Sequence, residues 1–165
     1  MPNTLYTLQV FILEGPLSEE FAKANPSIVR TMEIRGEQTL GDLHCAIFKA
    51  FDRWEEHMYE FHFGDGPHDY SRGRYSCCGP LDMMSDLSDD EPAGDAAETT
   101  IDSLGLSVGQ SFGYWFDFGD DWYHQINVLA IGQAKPKAKY PRVISHVGDS
   151  PPQYIYEEDE GEEDE

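Results

Sequence analysis

The chain has 165 residues, 39% hydrophobic and 13% aromatic, with a formal net charge of -21 and a pI near 4.3. This length fits one domain able to bury roughly two thirds of its unfolded surface without disulfide staples. The charge argues against direct nucleic-acid binding, whose affinity comes from Lys and Arg releasing counterions, and the absence of an apolar run approaching ~18 residues argues against a membrane span.

In chain order, the run from Thr4 to Leu13 is rich in β-branched, aromatic and aliphatic residues and stops at Gly15-Pro16, the pattern of a buried strand followed by a turn. It carries neither the basic residues nor the small-residue cleavage site of a leader, so a cytoplasmic location is expected. Leu17 to Ala24 suits a short helix ending before Asn25-Pro26. From Ser27 to Arg35, Ile28, Arg30, Met32 and Ile34 alternate with Val29, Thr31, Glu33 and Arg35, predicting a second strand whose apolar face is interrupted by Arg30.

Thr39 followed by Asp42 has the form of an N-cap with an acid in the first turn. Leu40, Leu43, His44, Ile47, Phe48, Phe51 and Trp54 then recur at three- and four-residue spacing, the main helix of the chain. Met58 to Phe63 alternates again as a third strand, and a short edge strand is expected around Tyr70 to Ser76. The acidity is segmental: 82–102 holds eight acids and 157–165 another eight, neither with a Lys or Arg. Such runs repel themselves, so residues 1–145 are read as one α+β domain with a flexible acidic loop at 82–102, followed by a disordered acidic tail at 146–165. Cys45, Cys77 and Cys78 form no C-x-x-C motif and suit a reducing compartment, with structural roles.

Regular structure resumes at Thr99 to Leu106, and Gln110 to Phe118 pairs with Trp122 to Ile131 in a hairpin. The order β-β-α-β, loop, β-β gives an α+β fold, a mixed sheet with a helix packed across it and a C-terminal hairpin, akin to a β-grasp. In the first hairpin strand Phe112, Tyr114, Phe116 and Phe118 share one face. A two-residue turn at Gly119-Asp120 would place Trp115, Asp117, Trp122 and His124 together on the other, and a longer loop would shift that register.

The segment Y-x-F-D-F-G-D-x-W-x-H at 114–124, with T-L-x-D-L-H at 39–44 and H-x-x-E-F at 57–61, resembles the plasmid pRiA4b ORF-3-like family; K-x-x-Y-P-R-V at 137–143 extends the likeness. The resemblance covers roughly Tyr6 to Arg142. It implies a fold more than a reaction: members are similar to proteins found on plasmids and beside mobile elements, some labelled resolvases, with no established enzymatic activity. Members commonly continue past a Pro-Pro-Glu-Asp stretch, whereas this chain reads Pro151-Pro152-Gln153-Tyr154. A recombinase needs a Ser or Tyr nucleophile set among Arg residues. Here the basic cluster is limited to Lys135, Lys137, Lys139 and Arg142, which suits a strand end or linker as well as a phosphate contact.

The candidate binding residues are Tyr114, Trp115, Asp117, Asp120, Trp122 and His124, with His44 and His57. In a binding or interaction module the aromatic groups, Tyr123 among them, would form a platform and the polar groups would orient a protein partner. In the enzymatic alternative, His44, His57, Asp117, Asp120 and His124 converge, as on a divalent metal that activates water for hydrolysis. No H-x-x-x-H or H-E-x-x-H spacing supports that ligand set, and no cofactor is indicated. A further alternative is that the acidic segments mimic nucleic-acid charge and occupy a basic partner.

Overall fold

The computed structural model describes residues 4–54, 57–64, 73–76, 93–117 and 121–151. Strands β1 (Thr4–Glu14), β2 (Val29–Arg35), β3 (Tyr59–Phe63), β4 (Gly73–Ser76), β5 (Ala93–Asp95), β6 (Ser111–Phe116), β7 (Trp122–Gln133) and β8 (Arg142–Val147) form one mixed sheet. Their order is β5-β4-β3-β6-β7-β1-β2-β8. Every pairing is antiparallel except β4 with β5, which run parallel.

Among the described residues two α-helices accompany the sheet, α1 (Glu19–Ala24) and α2 (Leu40–Ala50). The start of α2 is fixed by a capping box, in which the Thr39 side chain accepts from the Asp42 backbone and Asp42 accepts from the backbone of Thr39. Its Leu40, Leu43, His44 and Ile47 are buried and Phe51 caps it. The 3.6-residue stripe is therefore realised, but the helix ends one turn before Trp54, which is 62% exposed. Among the described residues no helix is long and apolar enough to cross a membrane.

The covered face of the sheet carries the core. Leu8 lies opposite Met32 and Val128, Tyr6 opposite Ile34, Phe61 opposite Tyr114, and Phe112 opposite Ile126. Because side chains alternate along each strand, these registers place one apolar set under α2. Arg30, the polar interruption expected in β2, keeps its place on this face and is buried.

The sheet is larger than the sequence pattern indicates. β5 lies outside β4, so β4 is interior and not an edge strand; residues 70–72 of that expected strand lie outside the described residues, as do Cys77 and Cys78. Residues 82–92 of the acidic stretch also lie outside them. Its later part forms β5 and two 3-10 turns, with Ala96 and Ile101 fully buried. The hairpin β6–β7 is central and β8 forms the far edge, reached through the basic segment. Arg35 and Arg142 flank the Tyr140 ring at 5.1 and 5.2 Å, Arg142 pairs with Glu33 at 2.8 Å, and the Tyr140–Pro141 peptide is cis. β8 escaped the sequence reading because all its residues are exposed and it has no buried face to pattern.

Candidate functional site

The β6–β7 connection runs from Asp117 to Asp121, longer than two residues. Phe116 therefore pairs with Trp122, Trp115 with Tyr123, and Tyr114 with His124. The register is one residue away from that of the tight turn. Trp122 and His124 join Tyr114 and Phe116 on the covered face, while Trp115 leaves them for the open face. A one-residue slip inverts the facing of every side chain on one strand, which is why the loop length decides the site. Asp117 and Asp121 take left-handed backbone angles, φ 66° and 59°, and the Asp121 N–H closes the turn on the Asp117 carbonyl at 2.6 Å. Asp tolerates that region better than most residues, so no glycine is needed at either place.

On the covered face the polar groups are inside the core. The Tyr114 hydroxyl meets His44 Nδ1 at 2.6 Å, and the His44 ring stacks on Tyr59 with centroids 3.8 Å apart. His124 is fully buried. Its Nδ1 lies 3.1 Å from the Tyr114 carbonyl, an acceptor, so Nδ1 carries the proton and Nε2 accepts from Arg53 Nη2 at 2.9 Å. Burial, reinforced by the Arg53 charge, pushes the His124 pKa well below 6.5. His124 is thus a neutral structural acceptor at neutral pH.

Arg53 was missed by sequence reasoning, although a single base between Phe51 and Trp54 at the end of an apolar helix is a visible signal. Its guanidinium lies within 5.2 Å of the Phe51 centroid and 4.9 Å of both the Phe116 and Trp122 rings. Burial lowers its pKa to about 10, so the group remains charged at neutral pH. Trp122 beside it is fully buried, and a Cβ at Gly15 would overlap its indole. Glycine at 15 is a condition for seating this tryptophan.

His57 and Asp117 stand at the rim of this face. His57 Nε2 is 3.5 Å from Asp117 Oδ2, with the His57 side chain 30% exposed and that of Asp117 8%. Asp120 lies outside the described residues. The structure thus brings His44, Tyr114, Trp122 and His124 into one packed layer, with His57 and Asp117 at its border. Among the described residues no three His, Cys, Asp or Glu side chains group to hold a metal ion.

The open face is organised differently. Trp115 and Tyr123 stack with centroids 5.6 Å apart and planes 8° from parallel, and the Trp115 indole N–H donates to Asp121 at 2.8 Å. Next to them Glu60, buried on β3, accepts from Arg74 at 3.1–3.2 Å and from His62 Nε2 at 2.7 Å. Along the strands in the other direction, Ser111 and Gln125 donate to Asn127, which donates to Gln9. All four of these side chains are half-buried. An aromatic pair bordered by a fixed ion pair and a row of amides can hold planar polar groups.

A separate cleft of about 350 Å³ opens between β8 and the end of α2, lined by Arg30, Asp52, His146, Asp149 and Ser150 among others. Arg30 is committed there, donating to the carbonyls of Ala50, Val29 and Val147 and to Ser150 Oγ at 2.9–3.0 Å. The cleft is a structural joint that ties the chain after β8 to the helix.

The architecture is similar to that of a solved protein of unknown function, MM3350 from Methanosarcina mazei Go1. The TM-score is 0.69 at 19% identity, over 93% of this chain and 74% of the other. At that identity the likeness establishes the fold alone. No curated protein matches the chain. The family model described as plasmid pRiA4b ORF-3-like protein matches residues 17–160, which includes all three motifs in β3, α2 and the central hairpin. The chain belongs to the plasmid pRiA4b ORF-3-like protein family.

Proposed function

We propose that this protein is a non-enzymatic binding module that takes a protein partner on the open face of its central hairpin. The observation that carries the reading is the Trp115–Tyr123 stack, half-buried and flanked by the Glu60–Arg74–His62 cluster and the amide row. Amphipathic aromatic groups ringed by polar ones are favoured at protein contacts. The net charge of -21 supports a protein partner over a nucleic acid, and the cysteine usage suits the reducing cytoplasm.

The test is affinity capture and cross-linking from a cytosolic extract of the source cell with wild type, Trp115→Ala and Tyr123→Ala. The reading expects a defined partner lost in both variants while circular dichroism stays native. Retention of that partner by both folded variants would refute it.

Acid–base chemistry is a second reading, favoured by one pair. His57 is accessible and Asp117 stands 3.5 Å from it, the relation of a general base and its orienting carboxylate. A hydrolytic activity that survives Trp115→Ala and disappears in His57→Ala would move the assignment to that rim.

A further inference from the structure

The four central strands of the sheet, β3, β6, β7 and β1, contain no Lys or Arg. Around the aromatic pair of the open face they and the turn supply carboxylates instead. Tyr123 stands in register between Trp115 on β6 and Glu14 on β1. The register shift between Ile12 and Glu14 sets Glu14, and not Leu13, opposite Tyr123, so the irregularity places a carboxylate beside the pair. On the other side Asp121 is fixed by the Trp115 indole N–H at 2.8 Å. Glu14 and Asp121 are exposed, whereas Glu60 is buried and held by Arg74 and His62. Burial, reinforced by the charges of Asp121, Glu14 and Glu60, raises the Tyr123 pKa; the field that opposes a phenolate favours a cation at the same place.

We propose, resting on the reading of the open face as a partner surface, that the segment presented to it carries arginine: a guanidinium stacked on the Trp115–Tyr123 pair, with Glu14 and Asp121 as its counter-charges. A guanidinium is planar, weakly hydrated and able to donate two parallel hydrogen bonds, so it meets a ring face and a carboxylate at once. A lysine ammonium is a compact, strongly hydrated point charge and gains less from the rings. The rings would also stack a nucleic-acid base, but the carboxylates beside them oppose its phosphates. The net charge of -21 draws a basic segment toward the chain from a distance, and the aromatic pair then sorts arginine from lysine.

The experiment titrates the full-length, isotope-labelled chain with the peptide GRGRG, blocked at both ends, and with its lysine and citrulline counterparts. The readout is the indole N–H resonance of Trp115, assigned by its loss in Trp115→Phe. Because the acidic segments attract any cation, the peptides are compared at one ionic strength and only this resonance is scored. The arginine peptide should move it saturably, with a Kd about threefold or more below that of the lysine peptide, and the citrulline peptide should leave it in place. Tyr123→Ala, and Glu14→Gln at an exposed position that the fold does not need, should each weaken the arginine peptide by about threefold or more.

The proposal is overturned if the resonance does not move, if the lysine or citrulline peptide binds as well as the arginine one, or if Glu14→Gln binds the arginine peptide unchanged. Affinity capture judges the partner reading separately. A partner lost in Trp115→Ala and Tyr123→Ala, with no binding of the arginine peptide, overturns the arginine site and keeps that reading. Binding of the arginine peptide, with a partner retained by both folded variants, supports the arginine site and overturns that reading.

Discussion

His124 makes the covered face sensitive to acid, and the sign and size follow from its surroundings. Its folded pKa is depressed far below the unfolded value of 6.5 by burial and by Arg53. Above pH 6.5 both folded and unfolded chains hold it neutral, and it imposes no penalty. As the pH falls through 6.5 the unfolded chain takes up a proton that the folded chain refuses, so stability is lost on the acid side. While the folded chain keeps His124 neutral, one such group costs on the order of 1 kcal/mol between pH 7.5 and pH 5.5. For a domain of this size that is a fall in Tm of about 3–5 °C.

The assay is a pair of melts at pH 7.5 and 5.5 on wild type and on His124→Gln, whose amide oxygen can still accept from Arg53. The quantity compared is the pH-induced change within each protein, so a uniform loss of stability in the variant cancels. The variant should lose about 3–5 °C less than wild type over this interval. Equal changes in the two proteins would refute the assignment of His124 as a buried neutral acceptor.

Four further substitutions test the architecture. Trp122→Ala removes a fully buried indole and should cost about 3–5 kcal/mol by urea unfolding, whereas Trp115→Ala on the open face should cost less than half of that. Thr39→Ala dismantles the capping box of α2 and should cost about 1 kcal/mol, measured the same way. Arg30→Met strips donors from three carbonyls and Ser150 and should destabilise by about 3–5 kcal/mol; a smaller effect, under about 1 kcal/mol, would show that the joint between β8 and α2 tolerates its loss.

The elements most legible in the sequence were those with one face in the core. β1, β2 and α2 each carry a clean period because one side of each lies in the core and the other is more exposed; β3 is buried along its whole length, and its period shows because Tyr59, Phe61 and Phe63 alternate with Glu60 and His62. β8 could not be read, since exposure on both sides removes the alternation, and β5 is short and embedded in an acidic run. The hairpin residues were located in sequence, but their grouping was not. Gly119-Asp120 offers turn chemistry that favours a tight loop, while the actual loop depends on Asp117 and Asp121 both accepting left-handed angles, a choice the sequence leaves open. Arg53 went unnoticed because a lone base after a helix is ordinarily a solvated cap; its burial follows from the aromatic rings that the sheet brings over it.

The corrected register also reassigns the motif that carries the family likeness. In Y-x-F-D-F-G-D-x-W-x-H the specified residues Tyr114, Phe116, Trp122 and His124 all face the helix, where they build the core, and Asp117 stands at its border. The unspecified positions 115 and 123 face the other way, and in this chain they hold Trp115 and Tyr123. A motif written by core constraints describes how the hairpin folds, whereas positions on the open face are released from that constraint and can be set by whatever the protein contacts. The family pattern and the proposed partner-binding surface therefore lie on opposite sides of the same two strands. Transplanting the residues at 115 and 123 from another member should accordingly change the partner captured while leaving the melting temperature within a few degrees, since neither position contributes to the layer under α2.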